Sequence, residues 1–324
     1  MTTEECADLL RARDRFLILT HKRPDGDTLG CAAALARGLR MLGKTAFVLE
    51  NPEAAPRYLP LVLDFYAPEG YVPDCVAAVD VASVSLLPEN AAAYAERIDL
   101  AIDHHPSNTG YARHTLVDPD CAACGELILD LLAALGITPD SELAAALYVA
   151  VSTDTGCFSF NNTTARTFRA AAILAERGAD VAEINRILFR TRSRARIAME
   201  GLVYTNMHFL CNGRAAAVVI TRQMMEDTGA DEDDLDNIAA VPVSIEGVEL
   251  GITIREIIPR AADDLVRECK VSVRSGLTVS AGTFAARFGG GGHAAAAGFS
   301  RSEPSDAVYA SVLTALAETF GTAP

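Results

Sequence analysis

The chain contains no tryptophan, and only 6% of its 324 residues are aromatic although half are hydrophobic. Its core must therefore be built mostly from aliphatic side chains. Basic residues are scarce too: 28 Lys and Arg stand against 43 Asp and Glu, a formal net charge of −15. Affinity for long nucleic acid rests on many cationic contacts to phosphate, so this balance excludes a non-specific binder of long strands. A small anion gripped by metal ions and a few arginines stays open. No apolar run approaches the ~20 residues of a membrane-crossing helix, which predicts a soluble protein with no membrane partner. No secretory signal, internal repeat or low-complexity tract is apparent. The eight cysteines, Cys6, Cys31, Cys75, Cys121, Cys124, Cys157, Cys211 and Cys269, are scattered, and read as reduced thiols of a cytoplasmic chain. Cys121 and Cys124 have the spacing of a metal or redox pair, but no second pair follows and they open an apolar helix, so helix packing is the better reading. The length suits two domains.

What is present is organised around residues 16–30. Phe16 to Thr20 is an apolar run of the kind found in a buried parallel strand. It delivers His21, Asp25 and Asp27, with Pro24 and Gly26 between them, and then a helix expected from Thr28 to Leu42. Open α/β sheets bind ligands at the carboxyl ends of their strands. One imidazole and two carboxylates on a tight turn suit a hard divalent cation such as Mn²⁺ or Mg²⁺. Taken alone, the turn is equally a solvated one with Asp27 or Thr28 as helix cap.

The rest of the chain tips that balance. A short surface helix is expected over 3–12, strands over 45–49, 75–80 and 98–102, an edge strand over 114–118, and helices over 89–97, 121–135 and 141–152. This alternation is the signature of a parallel sheet wound with helices. Asp80 ends one strand, and Asp103, His104 and His105 end another. The apolar helix from Ser141 delivers Asp154, whose charge needs a partner if buried. Thr163 or Thr164 is expected to cap a helix running to Arg177, followed by helix over 180–189. His114 has no motif around it and reads as structural. Arg190, Arg192, Arg194 and Arg196 read as a solvated face, and 192–206 as a linking helix.

Beyond about residue 209 strands dominate, at 215–221, 248–258 and 265–273, with helices over 231–238, 279–288 and 305–320. A glycine stretch from Gly289 to Gly298 contains His293. Ordering glycine is entropically costly, and close approach of backbone N–H groups to an anion would account for it. Arg274 and His293 add phosphate donors on either side.

His21, Pro24, Asp25 and Asp27, then Asp80, then Asp103-His104-His105, then Thr153-Asp154-Thr155-Gly156 together resemble the four motifs of the DHH phosphoesterase superfamily. Arg274 and Gly289 to Phe299 resemble the substrate-binding motif of the DHH-associated C-terminal domain. The resemblance covers nearly the whole chain and is nearest the stand-alone nanoRNase and pAp-phosphatase branch. RecJ-like exonucleases of the superfamily carry further domains for which this chain has no room. The fold implied is a doubly wound, mainly parallel α/β domain over 1–190, a helical linker over 191–208 and a smaller α/β domain over 209–324.

Position by position, the resemblance implies that His21, Asp25 and Asp80 hold one metal ion while Asp27, Asp80, His104 and Asp154 hold a second, with Asp80 bridging. His105 would face the scissile phosphate, Asp103 would support it, and Arg274, Gly290, Gly291, Gly292 and His293 would grip substrate. Cys31 stands where the family commonly has serine, with no expected effect on the metals. Ala294 and Ala295 replace more polar residues, which leaves base and sugar preference open. Two divalent ions, Mn²⁺ ahead of Mg²⁺ or Co²⁺, would activate hydroxide for attack on phosphorus. The expected substrates are short RNA oligonucleotides, dinucleotides or 3′-phosphoadenosine 5′-phosphate (pAp). Cyclic or linear dinucleotides used in signalling are the alternative, and a nucleotide sensor without turnover is a more distant one. Monomer or homodimer is left open.

Overall fold

Strand β1 (Phe16–Leu19) is completely buried and lies at the centre of the first sheet. The fold is that of a computed structural model, which describes residues 1–232, 234–235, 237–257, 268–276 and 278–322. Two compact units emerge, Met1–Thr191 and Arg192–Pro324.

In the first unit, α1 (Thr3–Ala12) leads into β1, and α2 (Gly26–Met41) connects it to β2 (Ala46–Val48). A single helical turn, α3 (Leu59–Val62), precedes β3 (Cys75–Val79), β4 (Leu100–Asp103) and β5 (His114–Val117). All pairings are parallel, in the order β2-β1-β3-β4-β5. The order reverses between β1 and β3, which is where a doubly wound sheet opens a crevice beyond its strand ends. Alternation along the strands feeds two cores. Phe16, Ile18, Ala77, Val79, Leu100 and Ile102 face the helices, whereas Leu17, Leu19, Val76 and Ala78 face Val81, Ala91 and Ile98 on the other side.

The helical side is filled by α2, α4 (Cys124–Ala134), α5 (Ser141–Asp154) and α6 (Ala165–Glu176), with α7 (Val181–Asn185) following. Glycines let α2 and α5 touch. A Cβ on Gly30 would lie 2.4 Å from the Ala146 carbonyl oxygen, and one on Gly26 would lie 2.5 Å from the Thr153 side chain. Both distances are closer than real side chains tolerate, so α2 presses its bare backbone onto the α5 backbone at Gly30 and onto the Thr153 side chain at Gly26,. That contact brings the start of α2 against the end of α5.

The second unit starts with α8 (Arg194–Thr205), then β6 (His208–Leu210), β7 (Ala215–Ile220), α9 (Arg222–Thr228), β8 (Leu250–Glu256) and β9 (Cys269–Ser275). It ends with α10 (Ala281–Ala286), the hairpin of β10 (Gly291–Gly292) and β11 (Ala296–Arg301), and α11 (Ser305–Phe320). The mixed sheet runs β10-β11-β9-β8-β7-β6, with only the β7–β8 pair parallel. Helices α10 and α11 cover one face through Phe284, Val312 and Leu316. Met199, Val203 and Met225 cover Val218 and Ile220 on the other.

Several expectations need correction. Helix α2 begins at Gly26, because Asp25, and not Asp27 or Thr28, supplies the cap that accepts the amides of Asp27 and Thr28. The segment expected as helix over 89–97 is a 3₁₀ stretch, Glu89–Tyr94. The helix expected over 180–189 stops at Asn185 and continues as a π-turn, Arg186–Arg190. The polar helix Arg222–Thr228 gave no apolar period to find. Over 231–238 the described residues form turns and a 3₁₀ helix from Ile238; residues 233 and 236 lie outside the described ones. Ile258 and residues 265–267, expected in strands, also lie outside them. The glycine stretch forms a β-hairpin. Arg192 and Arg196 both bond Glu200, at 2.7 and 3.0 Å, and Arg196 is mostly buried rather than on a solvated face.

Candidate metal centre and anion-binding hairpin

The carboxyl ends of β1, β3 and β4, the start of α2 and the end of α5 present six candidate ligands to one region. Each reaches it by a local device. Asn51, buried beside β1, donates to Thr20 Oγ1 and to the His21 carbonyl, both at 2.9 Å, and so fixes the His21 backbone. Asp25 caps α2. Thr28 Oγ1 donates to the Val79 carbonyl at 2.9 Å, tying α2 to the end of β3. Asp80 follows at φ 57°, a left-handed conformation uncommon outside glycine,; its N–H donates to Ile102 O on β4.

The three imidazoles are oriented by their Nδ1 atoms. His21 Nδ1 lies 2.9 Å from Lys22 O and His104 Nδ1 lies 3.1 Å from Cys121 O. A carbonyl only accepts, so each Nδ1 carries the hydrogen and each Nε2 keeps its lone pair free, as a metal-ligating histidine requires. His21 Nε2 is 3.6 Å from Asp25 Oδ1 and 3.7 Å from Asp80 Oδ2. His104 Nε2 is 3.4 Å from both Asp80 Oδ1 and Asp154 Oδ2, and 3.9 Å from Asp27 Oδ2. His21, Asp25 and Asp80 form one cation-sized group; Asp27, His104 and Asp154 form another; Asp80, His104 and His105 form a third overlapping both.

The fit of these groups to divalent cations is tested by Asp80. Its side chain is 4% exposed, and its buried Oδ1 has no hydrogen-bond partner. An ionised carboxylate oxygen left like this costs several kcal/mol, on the order of 1–3 or more, and its neighbours offer lone pairs rather than hydrogens. A cation satisfies all of them at once. The acidities agree: burial and the nearby Asp27 push Asp80 well above the usual carboxylate range, burial together with Asp154 and Asp25 does the same to Asp27, and burial, opposed by His104, pushes Asp154 up to about 6.

His105 differs. Its Nδ1 bonds Asp103 Oδ1 at 2.7 Å, and Asn108 Nδ2 donates to Asp103 Oδ2 at 2.6 Å. Asp103 is fully buried, so the His105 ring is clamped while 42% of its side chain is exposed. The Asp103 hydrogen bond raises the His105 pKa.

Asp27 is held by two backbone amides and one thiol. The first two amides of α4 donate to it, Cys124 N at 2.7 Å and Gly125 N at 3.0 Å. Cys31 Sγ adds a third contact at 3.2 Å. The thiol thus touches a candidate ligand, and burial pushes its pKa up so that it stays a donor. Cys124 also opens α4, as the packing reading of the Cys121–Cys124 pair requires. His114 is exposed on edge strand β5.

In the second unit, Arg274 pairs with Ala296 across β9 and β11, beside the hairpin that holds Gly290, Gly291, Gly292 and His293. Among the described residues the Arg274 guanidinium has no acidic partner; its one hydrogen bond goes to the Val273 carbonyl. Burial lowers its pKa. The glycines divide. A Cβ on Gly290 would meet Gly298 O at 2.3 Å, and Gly292, at φ 141°, would meet Ala296 O at 2.6 Å. Packing of the hairpin itself therefore requires both. The N–H of Gly290 is spent on Ala285 O and that of His293 on Ala296 O, so neither amide is free for an anion as expected. Gly291 faces open space.

Sequence reasoning missed Asn51, Asn108, Asn162 and the Cys124 and Gly125 amides. The asparagines carried only a turn signal, and backbone amides carry none.

Comparison with known proteins adds the following. Residues 15–151 match the DHH family, N-terminal domain, and residues 213–321 match the DHHA1 domain. The chain is 33% identical over 319 residues to the bifunctional oligoribonuclease and PAP phosphatase NrnA of Thermus thermophilus, covering 96% of this chain and 92% of that protein. It is 27% identical over 292 residues to the protein of the same name from Bacillus subtilis, covering 89% of each. Among solved structures it is similar to an exopolyphosphatase-related protein from Bacteroides fragilis, with a TM-score of 0.85 at 22% identity, covering 98% of this chain and 97% of that one. It is also similar to RecJ of Thermus thermophilus in complex with Mn²⁺, with a TM-score of 0.55 at 16% identity, covering 99% of this chain and 55% of that one. These structural likenesses establish a shared fold.

Proposed function

The chain belongs to the DHH family, and from that premise we propose that it is a metal-dependent phosphoesterase hydrolysing very short oligoribonucleotides and pAp, the two activities for which its relatives are named. The observation that carries the reading is the buried, unpartnered Asp80 Oδ1 facing the lone pair of His104 Nε2, with a carboxylate–imidazole group on either side.

In this reading His21, Asp25 and Asp80 hold one cation, while Asp27, Asp80, His104 and Asp154 hold the other, Asp80 serving both. A bound pair of divalent cations supplies a nucleophile at neutral pH and stabilises charge at phosphorus. The mixed carboxylate and imidazole set favours Mn²⁺, with Mg²⁺ or Co²⁺ as substitutes. His105, clamped by Asp103, keeps its Nε2 free to donate to the phosphate or the leaving oxygen; its raised pKa keeps the proton there nearer neutrality,. Arg274 is half-buried without an acidic partner and is the anchor for a second phosphate. His293 and Gly291 assist it, and Gly290 and Gly292 shape the turn. We take residues 1–190 as the catalytic domain, 191–208 as the linker and 209–324 as the substrate-binding domain, in a cytoplasmic enzyme. No helix among the described residues is long and apolar enough to cross a membrane.

The deciding experiment strips the protein with chelator, restores Mn²⁺, Mg²⁺ or Co²⁺ singly, and follows product from pAp, a diadenylate and a five-nucleotide RNA. Turnover of pAp and the diadenylate, fastest with Mn²⁺, is expected. Absence of product from every substrate with every cation would remove the reading.

A further inference from the structure

Residues Cys121–Gly125 contribute no ligand, yet three candidate ligands are referenced to their backbone. Cys121 O receives His104 Nδ1. Cys124 N and Gly125 N hold the Asp27 carboxylate. The third connection is indirect: Asn162 Nδ2 donates to Ala122 O at 3.0 Å and to Asp154 O at 3.1 Å. We propose that Asn162 is a positioning residue that fixes Asp154 against Asp27 and His104, and that it acts on the cation group these three form and not on the group of His21, Asp25 and Asp80. The inference rests on the two-cation reading above.

Asp154 needs such a fixture. It is the last residue of α5, and among the described residues no hydrogen bond holds its carboxylate; the His104 Nε2 atom lies 3.4 Å from it. The chain then leaves through Gly156, Cys157 and Phe158 at φ 55°, 55° and 64°. Left-handed geometry is unfavourable for a non-glycine residue, and bonds from the amides of Gly156, Cys157 and Phe160 to the carbonyls of Thr153, Ser152 and Thr155 hold the turn from within. Asn162 closes it from the far side. Both hydrogens of its amide are used on two carbonyls, which fixes the amide's orientation, because an oxygen turned toward two carbonyls could accept from neither. Its own Oδ1 is buried without a partner. The side chain thus leaves an acceptor unmet while spending both donors on the frame. Neither His21 nor Asp25 has a hydrogen bond to residues 121–125 or to Asn162 among the described residues. Their group is held by Asn51 and by the α2 cap instead, which is why the effect is expected on one group only.

The test uses the full chain, stripped of metal, as wild type, Asn162→Asp and Asn162→Ala. Mn²⁺ is titrated by calorimetry and by electron paramagnetic resonance, and the metal-free melting temperature is recorded alongside. Asn162→Asp turns two donors into acceptors at nearly constant volume; Asn162→Ala removes them without adding charge. The expected result is two Mn²⁺ ions in wild type, and in both variants one affinity unchanged and the other weakened about 10- to 100-fold, as loss of an outer-shell partner does. The metal-free melting temperature should stay within a few degrees of wild type. Equal weakening of both affinities, or no change in either, would overturn the proposal while leaving the two-cation reading intact. Failure of both variants to fold without metal would overturn it too, since Asn162 would then hold the fold and not the site. A wild type that binds fewer than two ions would instead remove the reading on which the proposal rests.

Discussion

The two units handle charge in opposite ways. In the first, Asp27, Asp80 and Asp103 are buried, and the histidines beside them are each oriented by a second partner. In the second, Arg274 keeps a half-buried cation without an acid among the described residues, and His293 is exposed. Buried like charges are costly unless something neutralises them, so the first arrangement is specified for one kind of occupant. The lone guanidinium suits anions that come and go. On the proposed reading, the contrast would separate groups that hold cations and react from groups that grip.

Breaking the first region should have the larger effects. Asp80→Ala is expected to remove both cations and reduce hydrolysis to the level of the metal-stripped protein; retention of one equivalent of Mn²⁺ by elemental analysis would deny Asp80 its shared role. His105→Ala is expected to lower kcat about 10²- to 10⁴-fold with two Mn²⁺ still bound, and loss of metal in that variant would make His105 a ligand. Arg274→Ala should raise KM for pAp by roughly 10- to 100-fold, the 1.5–3 kcal/mol of a charge-assisted hydrogen bond, with metal content and kcat little changed. A fall in metal content with KM unmoved would erase the division between the two units.

Acidity offers a finer probe. Asp154, pushed up to about 6, holds its proton to higher pH in the folded, metal-free chain than when unfolded. A raised carboxylate pKa means that the metal-free fold loses this group's contribution as pH rises toward 6, and that a cation must displace the proton below it. Mn²⁺ affinity should therefore climb about tenfold per pH unit below 6 for each proton displaced. A flat profile from pH 5 to 7 would exclude Asp154 from the ligands. The smallest effects belong to the hairpin. Gly292→Ala should destabilise the second unit by about 1–3 kcal/mol, because a Cβ meets Ala296 O at φ 141°. Gly291→Ala should leave the melting temperature unchanged, so any rise in its KM reports the approach of substrate.

Much of this was legible in the sequence because side-chain chemistry coincided with strand ends. Apolar runs at 16–20, 75–79 and 98–102 located β1, β3 and β4 to within two residues, and the polar residues after them are the ones that converge. What stayed hidden had no side-chain pattern to display. The amides that hold Asp27 belong to Cys124 and Gly125, and any residue but proline would supply them. The start of α2 was misread because glycine at its first position hides a helix that Asp25 has already begun. The hairpin does not show in the sequence because its glycines answer to packing against Gly298 and Ala296, contacts between chain segments that no local spacing encodes.

The glycine seam between α2 and α5 makes reactivity a question of interhelical spacing. Asp27 stands one residue from Gly26 and Asp154 one residue from Thr153, whose side chain Gly26 touches. Adding one methyl group at position 30 would drive it into the Ala146 carbonyl and wedge the helices apart, opening the gap between two acids one to two helical turns away,. Heating that loosens the seam before the sheet melts should likewise release cations first, so inactivation should precede unfolding.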